Sequence, residues 1–226
     1  MKKTKNKILN DPIYGFISIP SELIYKIIEH PYFQRLRRIS QLGLSYLVYP
    51  GAHHTRFHHA IGAMHLMQKA IQVLKSKNIK ITFEEEEALL IAILLHDIGH
   101  GPFSHALEHS LVNNISHEKI SIQFMKELNV IFKNKLSLAI TIFQNKHKKK
   151  YLHELISSQI DVDRLDYLNR DSFYSGVAEG IVNSTRIIDM YNVHKGKLVL
   201  DHKGLYTIEK FLLSRKLMYL QVYMHK

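Results

Sequence analysis

The sequence predicts a mainly α-helical domain with one or two short β-hairpins. Apolar residues recur at the three- and four-residue spacing of a helix face through most of the chain, as at positions 23, 24, 27 and 28. Residues that favour helix starts stand before several of these segments, namely Ser21, Thr55, Thr82 and Ser116. Alternating apolar residues, which are typical of strands, occur in two short stretches, 14–19 and 193–201.

The N-terminal half is expected to contain one strand and four helices. Residues 1–10 are basic and are expected to be loose, and residues 14–19 are expected to form the strand. The helices are expected to start at Ser21, Pro31, Thr55 and Thr82, with the third reaching about Lys77. Thr82 and Glu85 show the spacing of a capping box. Residues 46–49 predict an extended segment.

The C-terminal half predicts further helices and one hairpin. The helices are expected at about 104–112, 116–128, 135–145, 151–158 and 163–173. Residues 193–201 predict the hairpin, with its turn at Lys195-Gly196. The helix over 205–226 carries no stop signal, so we expect it to continue into a C-terminal region missing from this chain. A single domain over 1–226 is the expected organisation.

Composition narrows the class of protein. The 226 residues are 46% hydrophobic, which is enough for a sizeable core, and the absence of cysteine excludes disulfides and thiolate metal sites and favours a reducing compartment. We see no signal peptide and no apolar run near the roughly 20 residues that span a bilayer, so a cytoplasmic protein without membrane contact is expected. The net charge of +11 favours anionic partners such as nucleotides; nucleic acid is the weaker alternative, because lysine clusters are often simply solvated.

An adjacent histidine and aspartate give the strongest functional signal. An apolar run over 88–95 leads directly into His96-Asp97. Burying this pair is costly without a partner, and a metal ion is one such partner. His59 upstream and Asp163 downstream are candidate further ligands; the weaker alternative for His59 is a histidine packed on its helix. Two imidazoles and two carboxylates suit one divalent ion, which could be Fe, Mn, Zn, Ni, Co or Mg.

Other polar residues predict phosphate binding and proton transfer. Arg56 precedes His59 by one helical turn and could hold a phosphate. Of His100 and His105, one could contact phosphate and the other act as an acid, with Glu108 placed to orient His105.

Several motifs together resemble the HD-domain phosphohydrolases. His59, His96-Asp97 and Asp163 match the H…HD…D pattern of that superfamily. The match extends from about residue 8 to the last residue and is nearest to the deoxynucleotide triphosphohydrolase branch. The motifs that carry it are 10–15, 33–37, 41–43, 55–57, 96–105 and 161–167. The resemblance implies an HD-domain helical bundle and, because family members are longer, a missing C-terminal part of the family fold.

The resemblance also implies roles for individual residues. By this match the metal ligands are His59, His96, Asp97 and Asp163. The phosphate contacts are Arg56, His100 and Arg164, and the acid–base residues are His105 and His117, with Glu108 assisting. The sugar 3′-hydroxyl contacts are Gln41, Leu42 and Asp171, and the sugar and base pocket is lined by Tyr167 and Tyr223. An activating nucleotide between subunits of a homo-oligomer would lie at Lys7, Asn10, Glu29 and Arg37.

Some positions depart from the family pattern, so alternatives stay open. Glu108 stands in place of an aspartate, His58 in place of an acidic residue, and Tyr219 in place of a histidine. The expected activity is metal-dependent hydrolysis of a dNTP to a deoxynucleoside and triphosphate. One alternative is hydrolysis of another nucleotide, such as a monophosphate or a signalling nucleotide. Another is a catalytically degenerate module that binds nucleotides or nucleic acid.

Overall fold

A computed structural model describes residues 7–103 and 116–224 of the chain. Within these ranges the protein is mainly α-helical, with two separate two-stranded antiparallel sheets. The predicted fold class is therefore confirmed. The described helices include none with both the length and the apolar character that a bilayer crossing requires.

The elements follow one another with short connections. In the N-terminal part they are β1 (Ile8–Asp11), β2 (Gly15–Ser18), α1 (Glu22–Glu29), α2 (Pro31–Gln34), α3 (Arg56–Ser76) and α4 (Phe83–Leu95). In the C-terminal part they are α5 (His117–Ile131), α6 (Ser137–Phe143), α7 (Lys150–Glu154), α8 (Val162–Ser175), α9 (Ser184–Asp189), β3 (Tyr191–His194), β4 (Lys197–Leu200) and α10 (Leu205–Met218). Turns of 3-10 helix cover Arg35–Arg38 and Ser45–Leu47, and a wider helical turn, Tyr219–Tyr223, extends α10.

The core is built around α4. Its residues from Ala88 to Leu95 are all buried, so it needs cover on every side. Helices α3 and α6 pack against it, and α8 packs on α3. Because α3 lies between α4 and α8, the start of α3, the end of α4 and the start of α8 can meet at one place.

Capping residues set several helix ends as predicted. Ser21 accepts a hydrogen bond from the Ile24 N–H at the start of α1, and Thr82 and Glu85 form the capping box of α4. At the start of α3, the Nδ1 atom of His58 accepts from the Thr55 N–H at 3.1 Å. The imidazole at position 58 thus caps the helix as an acidic side chain would.

The prediction that residues 1–10 are loose is in part wrong. Residues 8–10 were expected to be loose, but they pair with β2 in a hairpin that runs from Ile8 opposite Ser18 to Asp11 opposite Gly15. The carboxylate of Asp11 accepts hydrogen bonds from the N–H groups of Ile13 and Tyr14 at 2.9 and 3.1 Å. This side-chain turn stabilises the hairpin, and the alternation in so short a strand was too weak to predict it.

Two other predictions need correction. Residues 46–49 were expected to be extended, but a 3-10 turn forms because backbone N–H groups reach carbonyls three residues back, as from Leu47 to Leu44 at 3.0 Å. The helices expected at 135–145 and 151–158 are shorter, as α6 and α7. The β3–β4 hairpin turns at Lys195-Gly196 as predicted. The helix expected at 104–112 lies outside the described residues.

Candidate metal centre

Three helices bring the predicted metal ligands together. His59 lies on α3, His96 and Asp97 follow α4, and Asp163 lies in the first turn of α8. The Nε2 atom of His59 is 3.1 Å from Asp163 Oδ1 and 3.2 Å from the Nε2 atom of His96. His96 Nε2 is in turn 3.4 Å from Asp163 Oδ1. These three side chains could hold one metal ion.

Asp97 lies between this group and a second set of polar side chains. Its carboxylate is 3.9 Å from His59 Nε2 and 3.5 Å from His96 Nε2, and it also pairs with the guanidinium of Arg56. It further groups with His100 and His117 as a possible set of metal ligands. Asp97 therefore links the proposed metal position to the residues predicted to handle phosphate and protons.

The orientation of the two imidazoles fits a cation. His59 donates through Nδ1 to Asp166 at 2.8 Å, and His96 donates through Nδ1 to the Ile93 carbonyl at 2.6 Å. Both Nε2 lone pairs are then left facing each other and the Asp163 carboxylate. Two ligands of one four-coordinate ion lie about 3.4 Å apart when the metal bonds are about 2.1 Å. The donor set thus has the spacing and the chemistry of a divalent metal site.

The pKa values of His59 and Asp163 reflect how closely these groups are packed together. Burial would lower the pKa of His59, but its hydrogen bonds with Asp163 and Asp166 outweigh this and raise it to about 10. Burial likewise opposes the shift of Asp163, yet the two imidazoles hold the pKa of its carboxyl below the ordinary value. A site that holds protons this strongly attracts positive charge, and a divalent ion can replace those protons.

The turn that follows α4 is fixed by two side chains from elsewhere in the chain. Ser121 on α5 donates to the His96 carbonyl at 2.8 Å and accepts from the Gly99 N–H at 2.9 Å. Arg35 donates to the carbonyls of His100, at 2.9 Å, and Ile98. Adjacent His96 and Asp97 can therefore converge on one position because the backbone turns there and is held.

His100 is in its neutral form at physiological pH. Burial lowers its pKa to about 4, although the Asp97 carboxylate acts in the opposite direction. Its ring stacks on that of His117, with centroids 4.0 Å apart and an interplanar angle of 18°. A neutral imidazole can donate a hydrogen bond to a phosphate, but it does not neutralise phosphate charge.

A cavity of about 290 Å³ opens beside the centre. Its walls include seven of the eight residues predicted to bind substrate, namely Gln41, Leu42, Arg56, His100, Tyr167, Asp171 and Tyr223, together with Tyr219. Asp171 accepts from the Tyr223 hydroxyl at 2.8 Å and pairs with the buried His54 at 2.6 Å. Three tyrosines and a carboxylate with both oxygens engaged line this cavity, so it offers aromatic walls and a fixed hydrogen-bond acceptor.

Arg164 is the exception among the predicted substrate residues. It does not line the cavity, and its guanidinium pairs with Asp161, which also caps α8. A second cavity, of about 560 Å³, shares Asp97, His117 and Asp163 with the first. The centre therefore borders two cavities, which meet at these three residues.

The remaining predicted residues fall in two places. His105 and Glu108 lie outside the described residues. The four residues expected at an activating nucleotide are all exposed and lie in the N-terminal part of the chain: Lys7, Asn10, Glu29 and Arg37. The guanidinium of Arg37 covers the Phe57 ring at 3.6 Å.

Several polar residues of the site had no assigned role in the sequence analysis. They are Asp11, His54, Asp166 and Arg170, and all are buried. Only the spacing of Asp166 and Arg170, four residues apart on one helix, could have indicated an ion pair. Asp11 and His54 come from distant segments, and no local pattern predicts their partners.

Sequence comparisons agree with this geometry. A family model described as "HD domain" matches residues 56–171, and one described as "HD associated region" matches residues 182–226. An uncharacterised Bacillus subtilis protein, YwfO, is 35% identical over 99% of this chain and 53% of its own length. A Dictyostelium discoideum protein named as a deoxynucleoside triphosphate triphosphohydrolase SAMHD1 homolog is 32% identical over 99% of this chain and 47% of its own length.

Two solved structures superimpose closely on this chain. A phosphohydrolase from Bacteroides thetaiotaomicron superimposes with a TM-score of 0.96 at 56% sequence identity, covering 98% of this chain and 55% of that one. A hypothetical protein from Aquifex aeolicus superimposes with a TM-score of 0.86 at 38% identity, covering 98% of this chain and 61% of that one. The chain spans about half the length of the curated relatives named above.

Proposed function

Since the chain belongs to the HD-domain phosphohydrolase superfamily, we propose that it hydrolyses a dNTP with water to a deoxynucleoside and triphosphate. The observation that carries this proposal is the convergence of His59, His96 and Asp163, with Asp97 alongside, next to a cavity with nucleoside-pocket chemistry. The Dictyostelium discoideum relative, named as a deoxynucleoside triphosphate triphosphohydrolase SAMHD1 homolog, favours a dNTP as the substrate. We propose that residues 1–226 form a single HD domain.

In this proposal four side chains hold one divalent ion, namely His59, His96, Asp97 and Asp163. Such an ion would lower the pKa of a water molecule and polarise a phosphoryl oxygen. Asp163 and the two imidazoles fix the position of the reaction, and the α-phosphate has to be brought there by the rest of the site.

Arg56 and His100 are proposed to bind the phosphates. Both line the cavity, and both lie against Asp97. Arg56 supplies positive charge, whereas neutral His100 supplies a hydrogen bond. For Arg164 to contact a phosphate, its guanidinium would have to leave Asp161, so its proposed role depends on a rearrangement when substrate binds.

Cleavage must place a proton on the departing nucleoside oxygen. The bond from the α-phosphorus to the 5′ oxygen breaks, the oxygen of water is added to the phosphorus, and the 5′ oxygen takes a proton. We propose that His105 donates this proton, assisted by Glu108 and His117. Of these three residues, His117 lines the cavity. An imidazole suits this role because its ordinary pKa lies close to neutrality.

The cavity contains side chains that could recognise a sugar hydroxyl. Asp171 is held between His54 and Tyr223, so its carboxylate is fixed where a sugar hydroxyl could donate to it. Gln41 and Leu42 line the same cavity, with Tyr167 and Tyr223 as aromatic walls. We propose that Gln41, Leu42 and Asp171 contact the 3′-hydroxyl.

Product analysis on the natural full-length protein tests this function. We expect triphosphate and deoxynucleoside from at least one dNTP with Mn²⁺, Fe²⁺, Co²⁺, Ni²⁺, Zn²⁺ or Mg²⁺. Inorganic phosphate or a linearised product from another nucleotide would instead favour a different HD phosphohydrolase activity. Salt-dependent binding of single strands that survives metal removal, with no hydrolysis, would favour a degenerate binding module.

We also propose a homo-oligomer with an activating nucleotide between subunits. The support is the resemblance at Lys7, Asn10, Glu29 and Arg37, which are exposed and therefore accessible to a second copy. Light scattering with and without added nucleotides tests this, and a monomer under all conditions would contradict it.

A further inference from the structure

A buried chain of charged side chains runs from the metal centre to the N-terminal hairpin. His59 donates to Asp166 at 2.8 Å. Arg170 holds the same carboxylate with two donors, Nε at 2.9 Å and Nη2 at 3.0 Å. Its third donor, Nη1, reaches Asp11 at 2.9 Å. The other oxygen of Asp11 accepts from the N–H groups in the turn of the β1–β2 hairpin.

This chain is unusual in its burial. His59, Asp166 and Arg170 have no exposed surface, and Asp11 is 6% exposed. Burying charge is costly unless hydrogen bonds compensate, and replacing such a group by apolar residues is often neutral or stabilising. A core needs no such chain for stability alone, so its position directly behind a proposed ligand points to a role in the site.

The packing around the chain is specific to these side chains. Gly62 on α3 lies against the Asp166 carboxylate and the Arg170 guanidinium, and any side chain at position 62 would collide with both. The Tyr14 ring covers Arg170, with its centroid 5.6 Å from the guanidinium carbon. The fork of Arg170 onto Asp166 therefore has little freedom to move.

We propose that Asp166 is the positioning residue of His59, and that Arg170 and Asp11 extend this control to the N-terminal hairpin. The inference rests on the proposed metal site. By accepting a hydrogen bond from the Nδ1–H group of His59, Asp166 directs the Nε2 lone pair toward the metal position and stops the ring from rotating. Arg170 fixes the carboxylate through a planar two-point contact that lysine cannot reproduce. Asp11 ties Arg170 to the turn of the hairpin, so the hairpin and the ligand move together.

Metal affinity measured without catalysis tests the proposal. The natural full-length protein, freed of metal, is titrated with Co²⁺, and the dissociation constant is read from the visible absorption of the bound ion. We expect Asp166→Asn, Arg170→Lys and Asp11→Asn each to weaken Co²⁺ binding by about 10- to 100-fold, with the largest loss for Asp166→Asn. Asp11→Asn is the sharpest variant, because Asp11 touches neither the ligand nor its partner carboxylate.

A matched control separates positioning from general destabilisation. Tyr151→Phe removes a hydroxyl that donates to the Lys80 carbonyl at 3.1 Å, just before the start of α4 and so at the opposite end of that helix from His96. It should lower the thermal midpoint of the metal-free protein but leave the Co²⁺ dissociation constant unchanged. Wild-type affinity in Asp11→Asn and Arg170→Lys, at any thermal midpoint, would overturn the inference. Where Asp166→Asn does not fold, these two variants decide the question.

The proposed function fails separately from this inference. If the wild-type protein binds no Co²⁺, the metal site itself is wrong, and the role of Asp166 as its positioning residue is wrong with it. If the wild type binds Co²⁺ and the three variants bind it equally well, the metal site stands and only the positioning chain is rejected.

Discussion

The Nε2 atoms of His59 and His96 lie 3.2 Å apart, although each ring already donates a hydrogen bond through its Nδ1 atom. In their neutral forms the two rings therefore face each other with lone pairs, beside the Asp163 carboxylate. This arrangement is repulsive unless a cation or protons lie between the groups. The two histidines come from separate helices, so the fold itself holds them in this position.

Metal removal should therefore lower stability. Chelation is expected to reduce the free energy of unfolding by about 2.7 kcal/mol if the free metal was present at 100 times its dissociation constant. Thermal unfolding with and without chelator, followed by metal addition, measures the difference. Asp163→Asn should abolish that difference, whereas the exposed Asp189→Asn should retain it. A stability unaffected by chelator in a metal-loaded wild type would contradict the prediction.

Ser121 is expected to support the site from a distance. It is fully buried, and its hydroxyl satisfies both the His96 carbonyl and the Gly99 N–H. Ser121→Ala leaves both groups without this partner, so the free energy of unfolding should fall by about 1–3 kcal/mol. Urea denaturation measures this loss.

Metal content gives a second readout for Ser121→Ala. Because the turn carries His96 and Asp97, the variant should also retain less metal after dialysis. Ser76 offers the control, since its hydroxyl bonds a carbonyl on the exposed end of α3. Ser76→Ala should leave both stability and metal content near wild type. Equal losses in the two variants would mean that the turn does not depend on Ser121.

The clustering of the four predicted metal ligands could be expected from sequence because their residue types are informative in themselves. Burying His96-Asp97 at the end of an apolar run is costly without a partner, and together with His59 and Asp163 the pair matches a known pattern. Helix starts could be predicted for a similar reason, since Thr82 and Glu85 contact each other within one turn. Local chemistry was enough in these cases.

Long-range polar contacts could not be predicted in this way. Nothing in the sequence distinguishes Arg170 and Asp166 from any ion pair one helical turn apart, and only the fold shows that both are buried. Asp11 meets Arg170 across 159 positions of the chain, and nothing near either residue signals it. The structure also shows that Arg164, expected at the phosphates, pairs with Asp161.

Tyr223→Phe should weaken substrate binding but spare the metal. The lost hydroxyl donates to Asp171, so the carboxylate would be less firmly placed for the sugar. We expect KM for the preferred dNTP to rise by about 5- to 10-fold, equivalent to about 1 kcal/mol, with a smaller change in kcat. Tyr219 lines the same cavity, so Tyr219→Phe serves as the comparison. A fall in metal content in Tyr223→Phe would show that the residue acts on the centre instead.

Glu85 provides a test of stability against pH that is independent of the metal. Its carboxylate accepts from the Lys149 ammonium at 2.6 Å and from the Thr82 N–H at 2.9 Å. Burial opposes the shift, but these contacts hold the pKa of Glu85 below its ordinary value. A carboxyl with a depressed pKa in the folded state contributes stability above its unfolded pKa and loses it as the pH falls through the folded pKa.

Glu85→Gln should therefore lower the free energy of unfolding at pH 7 by about 1–3 kcal/mol, since it removes a charge-assisted hydrogen bond and weakens a helix cap. The difference from wild type should shrink as the pH falls below about 4.5 and Glu85 itself becomes protonated. Urea denaturation at a series of pH values measures it. Glu87→Gln, on the same helix, should lower the free energy of unfolding at pH 7 by less than Glu85→Gln does. A loss in Glu85→Gln that stays constant down to acid pH would show that packing, and not charge, is what the carboxylate provides.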